Sequence, residues 1–470
     1  MRHTTVRIGL RAALLACALF TLAGCEMIDM VSDATTSWFN SPKKSNIKGE
    51  RIDVMTSDTT ISADPDLAKT DVLLPPPYRN DAWPEPGGYA ANAMYHLEAG
   101  GNLTPAWSED AGKGSDSDSR LTAPPIVANG RVYVLDAEAH VFVFNAGNGK
   151  PLWDKELAPA GGDGPWLGMF GSDHSIDPSK GFGGGIAYDN GDIFVSTGFG
   201  QVFAMDAASG KQVWKVDLGI PIVNAPVANG GRVFVSTEDN HFYALAEQDG
   251  RQLWDNQGIA ETAGILESTS AAVAGGIVIV PYTSGELYAI DVATGRIAWN
   301  DMLSRNGTVT ALSELDDIAG RPVIDRDMVF AIAHSGMMVA INLNTGDRAW
   351  SRDIGGIQTP WAAGDFLYVL TTDDQVLCMT RKDGRIKWSH QLPRWTDPES
   401  RDHPIVWSGP VLVSNRLIVV SSNGYAASLS PYTGELLGRM EMPAGALIAP
   451  TVADGTLYVL TSDAQLVALR

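Results

Sequence analysis

The sequence predicts an all-β protein: an eight-bladed β-propeller of four-stranded antiparallel blades, its ring closed by an N-terminal strand. Three observations predict it. A strand-rich unit recurs from about residue 100 onward, the final copy stops one strand short, and a strand of the missing kind stands ahead of the first copy. The composition agrees, because 49 glycines in 470 residues, with only 19% charged side chains, suit many strands joined by tight turns.

Each unit reads as an aliphatic strand, a turn, a second strand such as Arg131–Leu135, a turn, and a third strand ending in alanine, an aliphatic residue and an acid. A Thr-Gly turn and a tryptophan four residues beyond the glycine complete it, most clearly across Gly285–Trp299. The repeat glycines are Gly149, Gly210, Gly250, Gly295, Gly346, Gly384 and Gly434, at intervals that four short strands fill. Tryptophan follows at 153, 214, 254, 299, 350 and 388, whereas the seventh unit has Gly438. Strand alternation buries one face of each small sheet against the next, so no unit is stable alone. The eighth unit begins at Ala449 and ends with Leu466–Leu469, before a fourth strand. Asn102–Trp107 carries a tryptophan of the missing kind, so this segment is expected to complete the last blade and to protect the two edges of an open array. Two unrelated β-sandwiches leave the order of the repeats unexplained.

Ahead of the ring, Arg2, Arg7 and Arg11 precede an apolar run, Ala12–Gly24, that is too short to span a bilayer. Residues 1–24 are read as a signal peptide. Leu22-Ala23-Gly24-Cys25 resembles a bacterial lipobox, which makes Cys25 the expected site of lipidation and acylation; the alternative is an ordinary cleavage site beside a coincidental cysteine. In that lipoprotein pattern an Asp after the cysteine marks retention in the inner membrane. Glu26 stands there instead, which favours the outer membrane. Residues 25–92, with Pro65, Pro75, Pro76, Pro77, Pro84 and Pro86 and no sustained periodicity, read as a lipid-anchored tether that includes a weakly marked helix near 28–39. The propeller is expected over 93–470. With Cys17 removed and Cys25 lipidated, Cys378 has no intrachain disulfide partner, and it takes a small-residue place that alanine holds in other repeats.

A formal charge of −21 repels a phosphate backbone, so nucleic acid is not an expected partner. Histidines are scattered without metal-ligand spacing, Gly198-Phe199-Gly200 is a lone GxG between strands, and no catalytic triad is assignable. No catalytic, cofactor or metal site is therefore predicted. Turns joining the first to the second strand, and the third to the fourth, share one face and are short and uniform. Links between blades open on the other face, where 158–182, 258–268, 302–319 and 393–407 are long, so recognition is expected on that variable face. The glycine-rich 158–182 stretch, with Trp166, Phe170, Asp173 and His174, reads either as a recognition loop or as a surface insertion.

Over about residues 100–470 the repeat pattern resembles the pyrroloquinoline-quinone-type propeller family, which includes quinone-dependent dehydrogenases and the BamB lipoproteins of outer-membrane protein assembly. The dehydrogenases use adjacent cysteines, a calcium-binding set and large insertions that this sequence lacks. With the lipobox, the resemblance to the BamB branch implies a monomeric, non-catalytic scaffold within a hetero-complex. It also implies that the scaffold binds the periplasmic POTRA domains of BamA and other assembly subunits, and aids insertion of outer-membrane proteins. The other readings are a dehydrogenase-like enzyme and a propeller that binds another envelope protein or polysaccharide. Leu312-Ser313-Glu314-Leu315-Asp316, followed by Asp317, is similar to the stretch through which BamB-like proteins engage BamA. The neighbouring loop containing Ile265 and Leu266 matches less well, because the family has Arg where Leu266 falls. Ile265, Leu266, Leu312 and Leu315 are thus candidates for an apolar centre, with Glu314, Asp316 and Asp317 around it, while a solvated acidic loop is the plain alternative.

Overall fold

In the computed structural model, residues 61–159, 183–261, 269–304 and 317–470 are described, and Ile61–Arg470 form one compact unit. Eight four-stranded antiparallel sheets follow one another around a ring. Blades 1 to 7 span Ile126–Glu156, Gly184–Asp217, Val227–Gln257, Ala272–Met302, Val323–Arg352, Trp361–Gln391 and Trp407–Glu441. Blade 8 takes three strands from Thr451–Leu469, and its outermost strand is Pro105–Asp110, paired with Gln465–Leu469. The N-terminal strand closes the ring as expected.

The repeat tryptophans lie on the outermost strands, most of them opposite a small residue of the third strand: Trp214 faces Ala204, Trp254 faces Ala244, and Trp388 faces Cys378, while Trp153 faces Val143. Cys378 is buried, and burial pushes its thiol far above the ordinary range, as befits a small apolar filler. Every indole reaches into the next blade. From Trp107, Trp153, Trp214, Trp254, Trp299, Trp350 and Trp388, Nε1 donates to a carbonyl of the following blade at 2.7–3.3 Å. The ring then rests on that blade's repeat glycine. These seven glycines have φ between +64° and +77°, and a Cβ on any of them would stand 2.6–2.8 Å from an indole atom. Glycine is thus required twice, by the left-handed backbone and by the aromatic face.

The seventh blade's departure has a geometric cause. Its Gly438 would face the turn between third and fourth strands of blade 8, but there the two strands come from opposite ends of the chain and no such turn exists. Arg470 and Thr104 bond each other's backbone instead, and among the described residues nothing lies within 4 Å of a Cβ built on Gly438.

Residues 61–92, expected to belong to the tether, are packed on the ring. Asp64 donates its N–H to Ile386 O at 2.8 Å on the outer strand of blade 6, and its carboxylate accepts from Arg385 at 2.7 Å. From residue 80 the chain makes a full circuit of the innermost strands. Asn80 bonds Val452 and Asp454 of blade 8, Trp83 pairs with Val127 of blade 1, and Pro84 O accepts from Tyr188 of blade 2. Glu85 accepts from Ala228 of blade 3, and the carbonyls of Ala90 and Ala91 accept from Val273 and Ile324 of blades 4 and 5. Tyr95 O then accepts from Trp361 of blade 6, Leu97 bonds Leu412 and Ser414 of blade 7, and Gly100 returns to Gly455 of blade 8. An innermost strand is a sheet edge with unpaired backbone groups, and this girdle satisfies one or more on every blade but the sixth, where the bond comes from the Trp361 indole. Prolines that break periodicity are compatible with it, because its bonds run outward to strands and not along itself.

Two outcomes follow from these contacts. Gly250→Ala, with φ of +72° and Trp214 at 2.8 Å, is expected to lower stability in urea by about 1–3 kcal/mol, whereas Gly438→Ala stays within about 0.5 kcal/mol of the parent. Glu85 is buried, with Oε1 on Ala228 N and Oε2 lacking a hydrogen-bond partner among the described residues; desolvation raises its pKa well above 4.5. A raised carboxyl pKa gives stability that is complete below the unfolded-state value and declines as pH rises towards the folded-state one. Glu85→Gln should therefore match the parent's melting temperature near pH 4 and exceed it at pH 8.

Candidate partner-binding face

The links between blades and the turns between second and third strands share the variable face. One long link, 393–407, is described throughout and forms a hairpin, Trp395–Asp397 with Asp402–Pro404. Arg394 ties it to Asp373 at 3.3 Å and to Asp374 at 3.6 Å, and Trp407 Nε1 donates to Pro393 O at 2.8 Å. The 158–182 stretch is described only at its first two residues and lies otherwise outside the described residues.

Of the predicted site residues, Cys25, Ile265, Leu266, Leu312, Glu314, Leu315 and Asp316 lie outside the described residues. Asp317 is described and is buried, 4% exposed, with its carbonyl accepting from His334 N at 2.9 Å. The feet of the two predicted loops are joined. Thr269, just after the first, donates from Oγ1 to the carbonyl of Ala319, just after the second, at 2.5 Å. Ser335 Oγ holds Leu303 O ahead of the second loop at 3.3 Å. Ahead of the first, Ile259 N donates to Glu286 Oε2 at 2.6 Å, and buried Glu286 also accepts from Ser284 and from Tyr288, at 2.9 and 2.8 Å. These polar feet are invisible to periodicity, since Thr269 and Glu286 earn no distinction in the sequence. The nearest signal is that both long links precede first strands of consecutive blades.

The centre of the same face opens into a cavity of about 370 Å³. Girdle residues Trp83, Pro86, Gly87 and Asn92 line it together with Trp361, and its ionisable lining residues are Arg120 and Arg321. Trp83 and Trp361 stack with centroids 6.4 Å apart. A calcium-held quinone needs carboxylate ligands; among the described residues this lining supplies none, and no group of three or more His, Cys, Asp or Glu is placed to hold a metal ion. The residues present do not fit that cofactor.

Comparison with known proteins separates the branches of the fold. A family model described as outer membrane protein assembly factor BamB matches residues 165–390 and 394–470. This chain belongs to the BamB family. It is 29% identical over 367 residues to the outer membrane protein assembly factor BamB of Salmonella typhimurium, covering 78% of this chain and 88% of that one. The crystal structure of BamB from Moraxella catarrhalis superposes with a TM-score of 0.63 at 18% identity, over 78% of this chain and 99% of the other. Quinohemoprotein alcohol dehydrogenase from Comamonas testosteroni superposes almost as well, with a TM-score of 0.62 at 14% identity, covering 83% of this chain and 81% of that one. That likeness is one of fold alone. By family the chain is an outer-membrane protein assembly factor and not one of the dehydrogenases that share its architecture. The girdle precedes the first residue that the family model matches.

Proposed function

We propose that this chain is a lipoprotein scaffold of the outer-membrane β-barrel assembly machinery, anchored through Cys25 at the periplasmic face, that binds POTRA domains of BamA with its variable face. It works as one subunit of a hetero-complex and aids insertion of outer-membrane proteins without chemistry of its own. The observation that carries this reading is membership of the BamB family across the ring. The bonded feet of the loops between blades 3 and 4 and between blades 4 and 5 support it, because a partner needs both loops presented as one surface.

In this reading Ile265, Leu266, Leu312 and Leu315 provide the apolar centre, and Glu314 and Asp316 accept hydrogen bonds at its rim. Asp317 acts indirectly, as the buried end of the second loop. Reversing rim charges acts on recognition and little on folding. Glu314→Lys combined with Asp316→Lys is expected to reduce capture of BamA from detergent-solubilised membranes by on the order of tenfold, with an unchanged melting curve on the same sample. Undiminished capture removes this loop from the contact.

A further inference from the structure

The chain enters the girdle along a short strap, residues 75–79, and one histidine sits between that strap and blade 7. His96 is buried, 1% exposed. Its Nδ1 lies 2.7 Å from the carbonyl oxygen of Pro75 on the strap, and its Nε2 lies 2.9 Å from the backbone nitrogen of Asn415, in the turn between the first and second strands of blade 7. A carbonyl can only accept and a backbone amide can only donate, so the two partners dictate the state of the ring. Nδ1 carries the hydrogen and Nε2 is bare. Only this neutral tautomer makes both bonds, because an imidazolium would turn a second N–H towards the N–H of Asn415.

The groups around the ring offer a charge no partner. On the strap stand Tyr78 and Arg79, and Arg79 is paired with Asp454 at 2.5 Å. On the girdle itself stand Tyr95, whose hydroxyl donates to Asp325, and Glu98, which is exposed. Blade 7 brings Arg416, whose guanidinium donates to Gly100 O at 3.0 Å, and Tyr432, whose hydroxyl donates to Asn415 Oδ1 at 2.5 Å. Among the described residues no carboxylate is hydrogen-bonded to the imidazole, and burial holds its pKa below the ordinary 6.5 despite the opposing pull of the Pro75 bond.

The two sides of the histidine differ in strength. Asn415 belongs to a tight turn between paired strands, where Val413 stands opposite Arg416. The strap opens with Pro75, Pro76 and Pro77, which have no N–H to give. Its remaining bonds to the girdle are Tyr78 N to His96 O at 3.0 Å, Glu98 N to Tyr78 O at 2.8 Å, and the Tyr78 hydroxyl to Met94 O at 3.2 Å. Pro75, Pro76, Tyr78 and Arg79 are all exposed, so the strap is the element free to lift.

We propose that His96 is an acid-sensitive latch: neutral, it fastens the strap to blade 7, and on taking a proton at Nε2 it lets the strap lift while the girdle stays bonded to the ring. The bonds beyond it, Leu97 N to Leu412 O at 3.2 Å and Ser414 N to Leu97 O at 2.9 Å, do not involve the imidazole. The latch therefore makes the passage of the N-terminal chain onto the ring responsive to acidity, without opening the ring itself. Lifting takes up a proton, since the exposed histidine charges near 6.5 and the buried one only below it. Its contribution to stability is complete above about pH 6.5 and is lost as pH falls towards the folded-state value, by up to about tenfold in the opening equilibrium per pH unit.

Nitrogen-15 NMR of the histidine rings in the full chain, with His96 assigned through its backbone, should show Nδ1 protonated and Nε2 bare at pH 7.5, and the ring still mainly neutral at pH 6.5. The opposite tautomer, or a ring already charged at pH 7, overturns the proposal. Hydrogen exchange, corrected for the intrinsic effect of pH, reads the strap. Between pH 7.5 and pH 5, protection at the amides of Tyr78, Glu98 and Asn415 should fall relative to Phe234 and Val329, while Leu97 and Ser414 keep pace with those ring amides. Glutamine offers a donor and an acceptor without titrating, so in His96→Gln the same ratio should not change with pH. A ratio that is constant in the parent, or that falls equally in His96→Gln, overturns the latch, and so does loss of protection at Leu97 and Ser414 together with the strap. If the variant does not fold, the parent decides alone: the fall in protection must begin near pH 6.5 and level off at the pH where the His96 ring titrates, and any other course overturns the proposal.

Discussion

The ring depends on an indole lying flat on the glycine of the next blade. A four-stranded blade cannot bury its own faces, so its stability is borrowed from two neighbours, and the angle between neighbours must repeat until the circle closes. The indole supplies bulk to fill the wedge and a nitrogen to register it, through one hydrogen bond to a carbonyl of the adjoining sheet. Glycine supplies both the left-handed turn and the absence of a side chain beneath the ring. Seven interfaces obey this rule. The eighth, between blades 7 and 8, has neither partner: where the other blades have the glycine turn, Arg470 and Thr104 bond each other's backbone within blade 8.

Closure therefore falls to the N-terminal part of the chain twice over. Pro105–Asp110 completes the sheet of blade 8 from outside, and residues 80–100 bind the inner strands of all eight blades from within. The girdle also separates the two faces. On one side it forms the floor of the central cavity with Trp83 and Asn92; on the other it exposes Tyr78, Tyr89 and Tyr95. One segment thus gives the variable face a closed centre and the uniform face its exposed tyrosines.

Much of the ring was legible because it obeys a period. Gly149 to Gly434 and their tryptophans mark seven turns, the unfinished eighth unit and Trp107 predict closure, and Cys378 falls opposite Trp388 as its repeat position required. The girdle was not legible as structure. Its bonds are made one or more per blade, by backbone groups and by the Asn80 and Glu85 side chains, at irregular spacing with Pro84 and Pro86 between them, and neither hydrophobic period nor strand propensity registers such a path. Apolar residues in a polar stretch, Trp83 and Met94 above all, were the available hint, since both are buried. At the candidate site the loops were legible only as long links with a familiar motif. That Thr269 bonds Ala319 and that Asp317 turns inward depends on tertiary contacts between blades, which one strand's sequence does not encode.

The central claim is that the girdle and the closing strand belong to one cooperative unit with the ring. Hydrogen exchange of the full chain, read at the amides of Trp83, Leu97, Val127 and Ser414, tests it most directly, because all four are donors in bonds between girdle and blades. The account predicts that these amides exchange only as fast as those of Phe234 and Val329 in the buried second strands of blades 3 and 5, at the rate of global unfolding. Exchange of Trp83 and Leu97 within minutes, while Phe234 and Val329 stay protected, would show a girdle that detaches from an intact ring and would contradict it.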